Sequence, residues 1–354
     1  MFGLFFQRGC CGLLFSLGFM GCTQKEIESY LIIGPKEAEH VVTEVTFPEL
    51  IDPVGVETSI MTAYRGGVVD WSDYVTGGSL AVDFTVQDGV AVPHDEDGLI
   101  LWSFAYYLNE IHQVMGTKGL DLEGLMPVRM AYAPDMGDDL FGFMNAAWVC
   151  GTGAHLFVVL PDYFHDYVPI AAHQGVVRHE YGHALFGHLT TGFSPSCPED
   201  PTDIPGNWVL WNEVNEGFAD ILATLTLDDP VFIETALPVA RRDVRSEIHV
   251  ASEELYIEGV ETQDPYLVGS VVAAFAWDIR EVVGTERPLS AAFTAAQRLR
   301  EIPLQRDPEE LLFAPDEFVL QMVRALSAEE TALSAACMAL QNRFPHLEAP
   351  ECSS

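Results

Sequence analysis

With 354 residues, 49% of them hydrophobic and 20% charged, the chain holds enough apolar material for one large or two ordinary domains. That balance fits neither a disordered polymer nor a multi-span membrane protein. Against 53 Asp and Glu stand 17 Lys and Arg, a formal net charge of -36, and so acidic a surface argues against a nucleic-acid partner.

At the N-terminus, Arg8 precedes an apolar stretch from Gly9 to Met20 that is too short to span a bilayer but suits an export signal. The signal is expected over residues 1–21. Phe19-Met20-Gly21-Cys22 resembles a bacterial lipobox, with Phe19 where Leu is usual. That resemblance implies lipidation of Cys22 and a lipid anchor holding the protein in the bacterial cell envelope; simple secretion is the alternative. Of seven Cys, Cys10 and Cys11 leave with the signal, and Cys150, Cys197, Cys337 and Cys352 remain for disulfides. Proximity in sequence favours Cys150 with Cys197 and Cys337 with Cys352, although four cysteines allow three connectivities. None has the CxxC spacing of a cysteine metal site.

Residues 22–60 read as a polar linker with short strands, broken at Pro35, Pro48 and Pro53. Alternating residues from Leu80, then Asp88-Gly89, then Val90-Ala91-Val92 predict a hairpin. Residues 98–115 form an aromatic-rich amphipathic helix, and a second strand region covers 127–160. After Pro169 the spacing turns helical over 170–189, 208–227, 266–283, 289–301, 308–326 and 328–343. Strands first and helices afterwards predict an α+β fold. The expected division is an N-terminal α+β lobe over 61–190, a C-terminal helical lobe over 191–346 and a tail over 347–354, the lobes meeting at a cleft.

The first of those helices carries His179-Glu180-Tyr181-Gly182-His183. Two histidines four residues apart share one helical face and can reach one cation. Glu180, turned about 100° around the axis, reaches a water at that cation instead. A hydrolytic zinc site takes three protein ligands and keeps one position for water. A second segment, Asn215-Glu216-Gly217-Phe218-Ala219-Asp220, supplies a carboxylate ligand from another helix, with a second carboxylate one turn on that can orient a histidine. The longer HExxHxxGxxH motif is excluded by counting: Phe186 and Leu189 stand where it needs Gly and His, so His188 reads as a surface or packing residue.

The two segments together resemble the gluzincin metallopeptidases, in the thermolysin and fungalysin branch. The resemblance implies a zincin-like fold with the active-site helix between the lobes. It makes His179, His183 and Glu216 zinc ligands, Glu180 the general base, and Asp220 and Asn215 supporting residues. Asn145-Ala146-Ala147-Trp148 resembles the family's edge strand, so Asn145 and Ala146 are expected to hold an extended peptide. The helix with Tyr106, Tyr107, Asn109 and His112 is similar to the aromatic helix that precedes the catalytic region in fungalysin-like enzymes.

Three departures stand out. The gap from His183 to Glu216 is long and contains Cys197. Tyr266 stands where the family has a transition-state histidine, and Tyr266 or His249 would donate to the oxyanion. Arg242 and Arg245 are both candidates for holding the substrate carbonyl, Arg245 equally for a structural ion pair.

The expected function is zinc-dependent hydrolysis of peptide or protein substrates by a monomer, water being activated at the ion and deprotonated by Glu180. The alternative is a zinc-binding surface lipoprotein without catalysis, used for adhesion or partner recognition. Calcium is open: Asp135, Asp138 and Asp139 form a carboxylate-rich stretch without EF-hand spacing.

Overall fold

A computed structural model describes residues 26–36, 39–69, 74–125, 127–136, 146–149, 156–160, 168–191, 206–233, 243–246, 249–262, 264–299 and 314–353. Its N-terminal half is built on sheets and its C-terminal half on helices, a mixed α+β architecture. Four strands, β1 (Ser29–Lys36), β2 (Glu39–Val45), β7 (Phe84–Gln87) and β8 (Val90–Pro93), form a sheet in the order β2-β1-β8-β7. Five more, β5 (Met61–Val69), β6 (Tyr74–Ser79), β9 (Val128–Tyr132), β10 (Ala146–Val149) and β11 (Leu156–Val159), form a second sheet in the order β10-β11-β9-β5-β6. A short antiparallel pair, β3 (Leu50–Asp52) and β4 (Glu57–Thr58), is separate from both.

The β7–β8 hairpin turns at Asp88-Gly89, where both residues have positive φ, 52° and 92°. That is the backbone a tight two-residue hairpin turn requires. From Ser29 on, the N-terminal stretch is a strand of the first sheet. Pro35 sits inside β1 rather than breaking it. It is tolerated because Ile33 N, two residues earlier, donates to Ser103 and not to β2, so by alternation the Pro35 nitrogen also faces away from that ladder, and among the described residues β8 pairs with β1 at Ser29 and Tyr30 only.

Helix α1 (Glu96–Gly116) is capped by Asp95, whose side chain accepts from Gly98 N at 2.9 Å. It fastens to β1 through Ile33 N donating to Ser103 Oγ (2.9 Å) and Tyr107 OH donating to Ile33 O (2.8 Å). Against α1 lies α2 (Gln174–Thr191), which also contacts β10 on the sheet side and two helices, α3 (Gly206–Leu227) and α6 (Glu286–Leu299), on the other. Helix α2 is the central element of the molecule: residues 175–190 are all buried. Gly182 permits the close crossing of α2 and α3, since a Cβ there would lie 2.6 Å from Ala219 Cα.

The remaining helices are α4 (Glu253–Thr262), α5 (Tyr266–Val283), α7 (Ala314–Leu326) and α8 (Glu330–Arg343). One continuous apolar core runs from Tyr30 to Ala349 and joins sheet and helices. Helix α4 falls outside the expected helices because only its Tyr256 and Gly259 are buried. The expected C-terminal tail is packed and stapled: Ala349 is buried, a 3-10 turn spans Pro350–Ser353, and Cys352 is disulfide-bonded to Cys337 on α8. Among the described residues no helix is long and apolar enough to cross a membrane.

Candidate metal centre

Burying a helix on every side obliges each of its polar groups to find a partner. Most of those on α2 do so locally. Arg178 donates to Thr226 O (2.9 Å) and to Glu110 Oε2 (2.8 Å). Tyr181 OH meets His112 Nδ1 on α1 at 3.1 Å. Thr190 Oγ1 donates to Phe186 O at 2.7 Å. His188 Nε2 lies 2.7 Å from the carbonyl of Asp121, which makes it a packing histidine, as its position outside the motif implied.

His179, Glu180 and His183 form a buried group whose ligand atoms cluster closely enough to hold a metal ion. Glu216 joins it from α3. The three donor atoms His179 Nε2, His183 Nε2 and Glu216 Oε2 form a triangle: 3.0 Å between the imidazoles, 3.2 Å from His179 to the carboxylate and 3.7 Å from His183 to it. Tetrahedral ligands about 2.0–2.1 Å from a zinc-sized ion stand about 3.3–3.4 Å apart, so the triangle has the size such an ion needs. Two imidazole nitrogens facing each other at 3.0 Å are satisfied together by a cation, which both lone pairs can bind.

The surrounding residues set the orientation of this group. Asp220 Oδ1, one turn beyond Glu216, lies 2.8 Å from His179 Nδ1. That contact turns Nε2 toward the centre of the triangle. His183 Nδ1 and Asn215 Oδ1 are both buried, and among the described residues neither has a hydrogen-bond partner. Two aromatic rings flank the imidazoles. Phe232 stacks on His179 with centroids 6.1 Å apart, and Trp148 stacks on His183 at 6.3 Å. Neither aromatic was legible as a site residue: Phe232 follows α3 with no motif around it, and Trp148 stood in the edge-strand segment without a role.

Glu180 points toward the sheet. Its Oε2 accepts from the main-chain N–H of Trp148 at 2.6 Å. Among the described residues, strand β10 ends its sheet and pairs antiparallel with β11, Ala146 opposite Val159 and Trp148 opposite Phe157. Since the Trp148 N–H reaches α2, alternation along the strand aims the N–H and C=O of both Ala146 and Trp148 away from β11. The carbonyl of Val159, on the far side, correspondingly accepts from Ala133 N at 2.8 Å. The side of β10 away from β11 therefore faces Glu180. Burial pushes the Glu180 carboxyl above its usual range. The two histidines and the Trp148 N–H oppose that rise, and the nearby Glu216 reinforces it.

The other expected site residues are more scattered. Tyr266 is the first residue of α5, its N–H held by Asp264 Oδ1 at 3.0 Å. It stands one turn before Gly269, where a Cβ would lie 3.1 Å from Glu216 Cβ. His249 is half-buried; its Nε2 lies 3.1 Å from Asp243 O, and burial lowers its pKa. Arg343 of α8 holds the carbonyls of Ser246 and His249 at 2.8 and 3.1 Å and is itself paired with Asp278. Arg245 is exposed and grips Asp243 with two nitrogens at 2.9 Å, the structural ion pair that the sequence left as its other role. Asn145, Arg242, Cys22, Cys150, Cys197, Asp138 and Asp139 lie outside the described residues, and so does a Cys150–Cys197 bridge.

No family model matches this chain, and no curated protein matches it either.

Proposed function

We propose that the chain is a zinc-dependent metalloendopeptidase of the gluzincin type, with a zincin-like fold, exported and lipid-anchored at Cys22 in a bacterial cell envelope. The observation that carries this reading is the triangle of His179, His183 and Glu216 beside a carboxylate that is not part of it. Two successive helices contribute to the triangle, and Glu180 is held to one side by a sheet edge. A purely structural zinc site is closed by a fourth ligand and has no use for such a carboxylate.

His179, His183 and Glu216 would hold the ion. When bound, zinc supplies a Lewis acid that polarises the scissile carbonyl and makes water acidic near neutral pH. Glu180 removes the proton from the attacking water and passes it to the leaving amine. The Trp148 N–H fixes Glu180 Oε2 in place. The outward N–H and C=O of Ala146 suit main-chain pairing with an extended peptide, which aligns the substrate along β10. Tyr266 or His249 donates to the developing oxyanion.

A quenched-peptide assay on the purified protein, with and without a chelator, tests this directly. Chelator-sensitive cleavage that is lost in His183→Ala is the expected result. A protein that binds zinc but cleaves neither casein nor a peptide library would instead be a non-catalytic binding lipoprotein.

A further inference from the structure

One turn before Glu216 on α3 stands Glu213, a carboxylate outside the zinc triangle. It is completely buried, and among the described residues neither Oε1 nor Oε2 has a hydrogen-bond partner. The side chain leaves α3 toward the junction of α4 and α5. Gly259 of α4 leaves the space it occupies, because a Cβ there would run into Glu213 Oε1. The main-chain oxygen of Asp264 lies 3.6 Å from that same point. The Asp264 side chain is close enough to repel the Glu213 charge. Its Oδ1 also receives the N–H of Tyr266 and so starts α5.

A buried carboxyl without donors can be relieved by a proton or by a cation. A proton falls short here, since the acid's carbonyl oxygen would still lack a donor. A hard divalent cation satisfies both oxygens at once and favours a second carboxylate and a main-chain carbonyl beside it. From this geometry we propose a calcium site at the α3–α4–α5 junction, with Glu213 as a carboxylate ligand from α3 and Asp264 as the ligand at the start of α5. Calcium suits the site better than magnesium, because it accepts irregular oxygen cages and bidentate carboxylates. Bound there, it would tie the helix carrying Glu216 to the first turn of the helix that begins at Tyr266. The site stands apart from the zinc ligands and does not depend on the catalytic reading.

The test is calorimetric titration of the full chain, at constant zinc content, with calcium chloride. One site with a dissociation constant of about 0.1–1 mM or tighter is expected. Glu213→Gln, and separately Asp264→Asn, which keeps an acceptor for Tyr266 N, should weaken binding by about tenfold or more. Glu180→Gln should bind calcium as the wild type does. If Glu213→Gln fails to fold, Asp264→Asn alone decides. No saturable calcium binding by the wild type, or binding undiminished in the folded variants, overturns the proposal.

Discussion

The main-chain N–H of Trp148 meets Glu180 Oε2 at 2.6 Å and so joins the last strand of a sheet to the helix that carries both histidines. The carboxylate is held on the sheet side of α2, while Glu216 approaches from α3. On the proposed reading, this arrangement would let one acid bind an ion while the other stays available to move a proton.

Asp220 is placed to act through His179. The 2.8 Å contact with Nδ1 fixes the ring with Nε2 inward. Asp220→Ala is expected to weaken metal binding by about 10–100-fold. Asp220→Asn, which can still accept from the ring, should lose less. Competition against a chromogenic chelator measures both, and an unchanged affinity in the alanine variant would remove Asp220 from this role.

Glu213 should make stability pH-dependent when calcium is absent. Burial, with Asp264 adding to it, raises its pKa from 4.5 to about 8. For an acid raised in this way, the contribution to stability is complete below the unfolded pKa and is lost as pH rises through the folded one. In calcium-free buffer the unfolding midpoint should therefore fall between about pH 5 and pH 8. Glu213→Gln should lose less over that window, and added calcium should flatten the wild-type profile. A wild-type and variant pair with parallel pH profiles contradicts this.

The Cys337–Cys352 bridge closes a 15-residue separation between α8 and the C-terminal turn. A loop of that length corresponds to about 3 kcal/mol of stabilisation. Cys352 is exposed and open to reductant. Mild reduction, or Cys352→Ser, is expected to lower the denaturant midpoint and leave metal content unchanged. An unmoved midpoint would show that packing around Ala349 holds the terminus without the bridge.

Much of this arrangement was legible because it is written in short-range patterns. The span of α5 follows from its apolar spacing, the β7–β8 turn from Asp88-Gly89, and the convergence of His179 with His183 from their four-residue interval. Glu216 was identifiable from its segment and from Asp220 one turn later. Illegible were the features set by tertiary neighbours. Phe232 comes to stack on His179 only through the way the chain returns after α3. Trp148 meets Glu180 through its backbone, which carries no side-chain signature. Helix α4 escaped notice because one buried aromatic and one glycine leave almost no periodic signal. The carboxylate of Glu213 reads as one more acidic residue in an acidic chain until Gly259 and Asp264 are seen around it.

The proposed chemistry comes down to Glu180 moving a proton beside an ion it does not hold. The decisive measurement is zinc content together with peptide cleavage for the wild type and Glu180→Gln. The account predicts one zinc per chain in both proteins, with cleavage reduced by about 10²–10⁴-fold in the variant. A wild-type protein that binds no zinc, or a Glu180→Gln protein that cleaves at the wild-type rate, would contradict it.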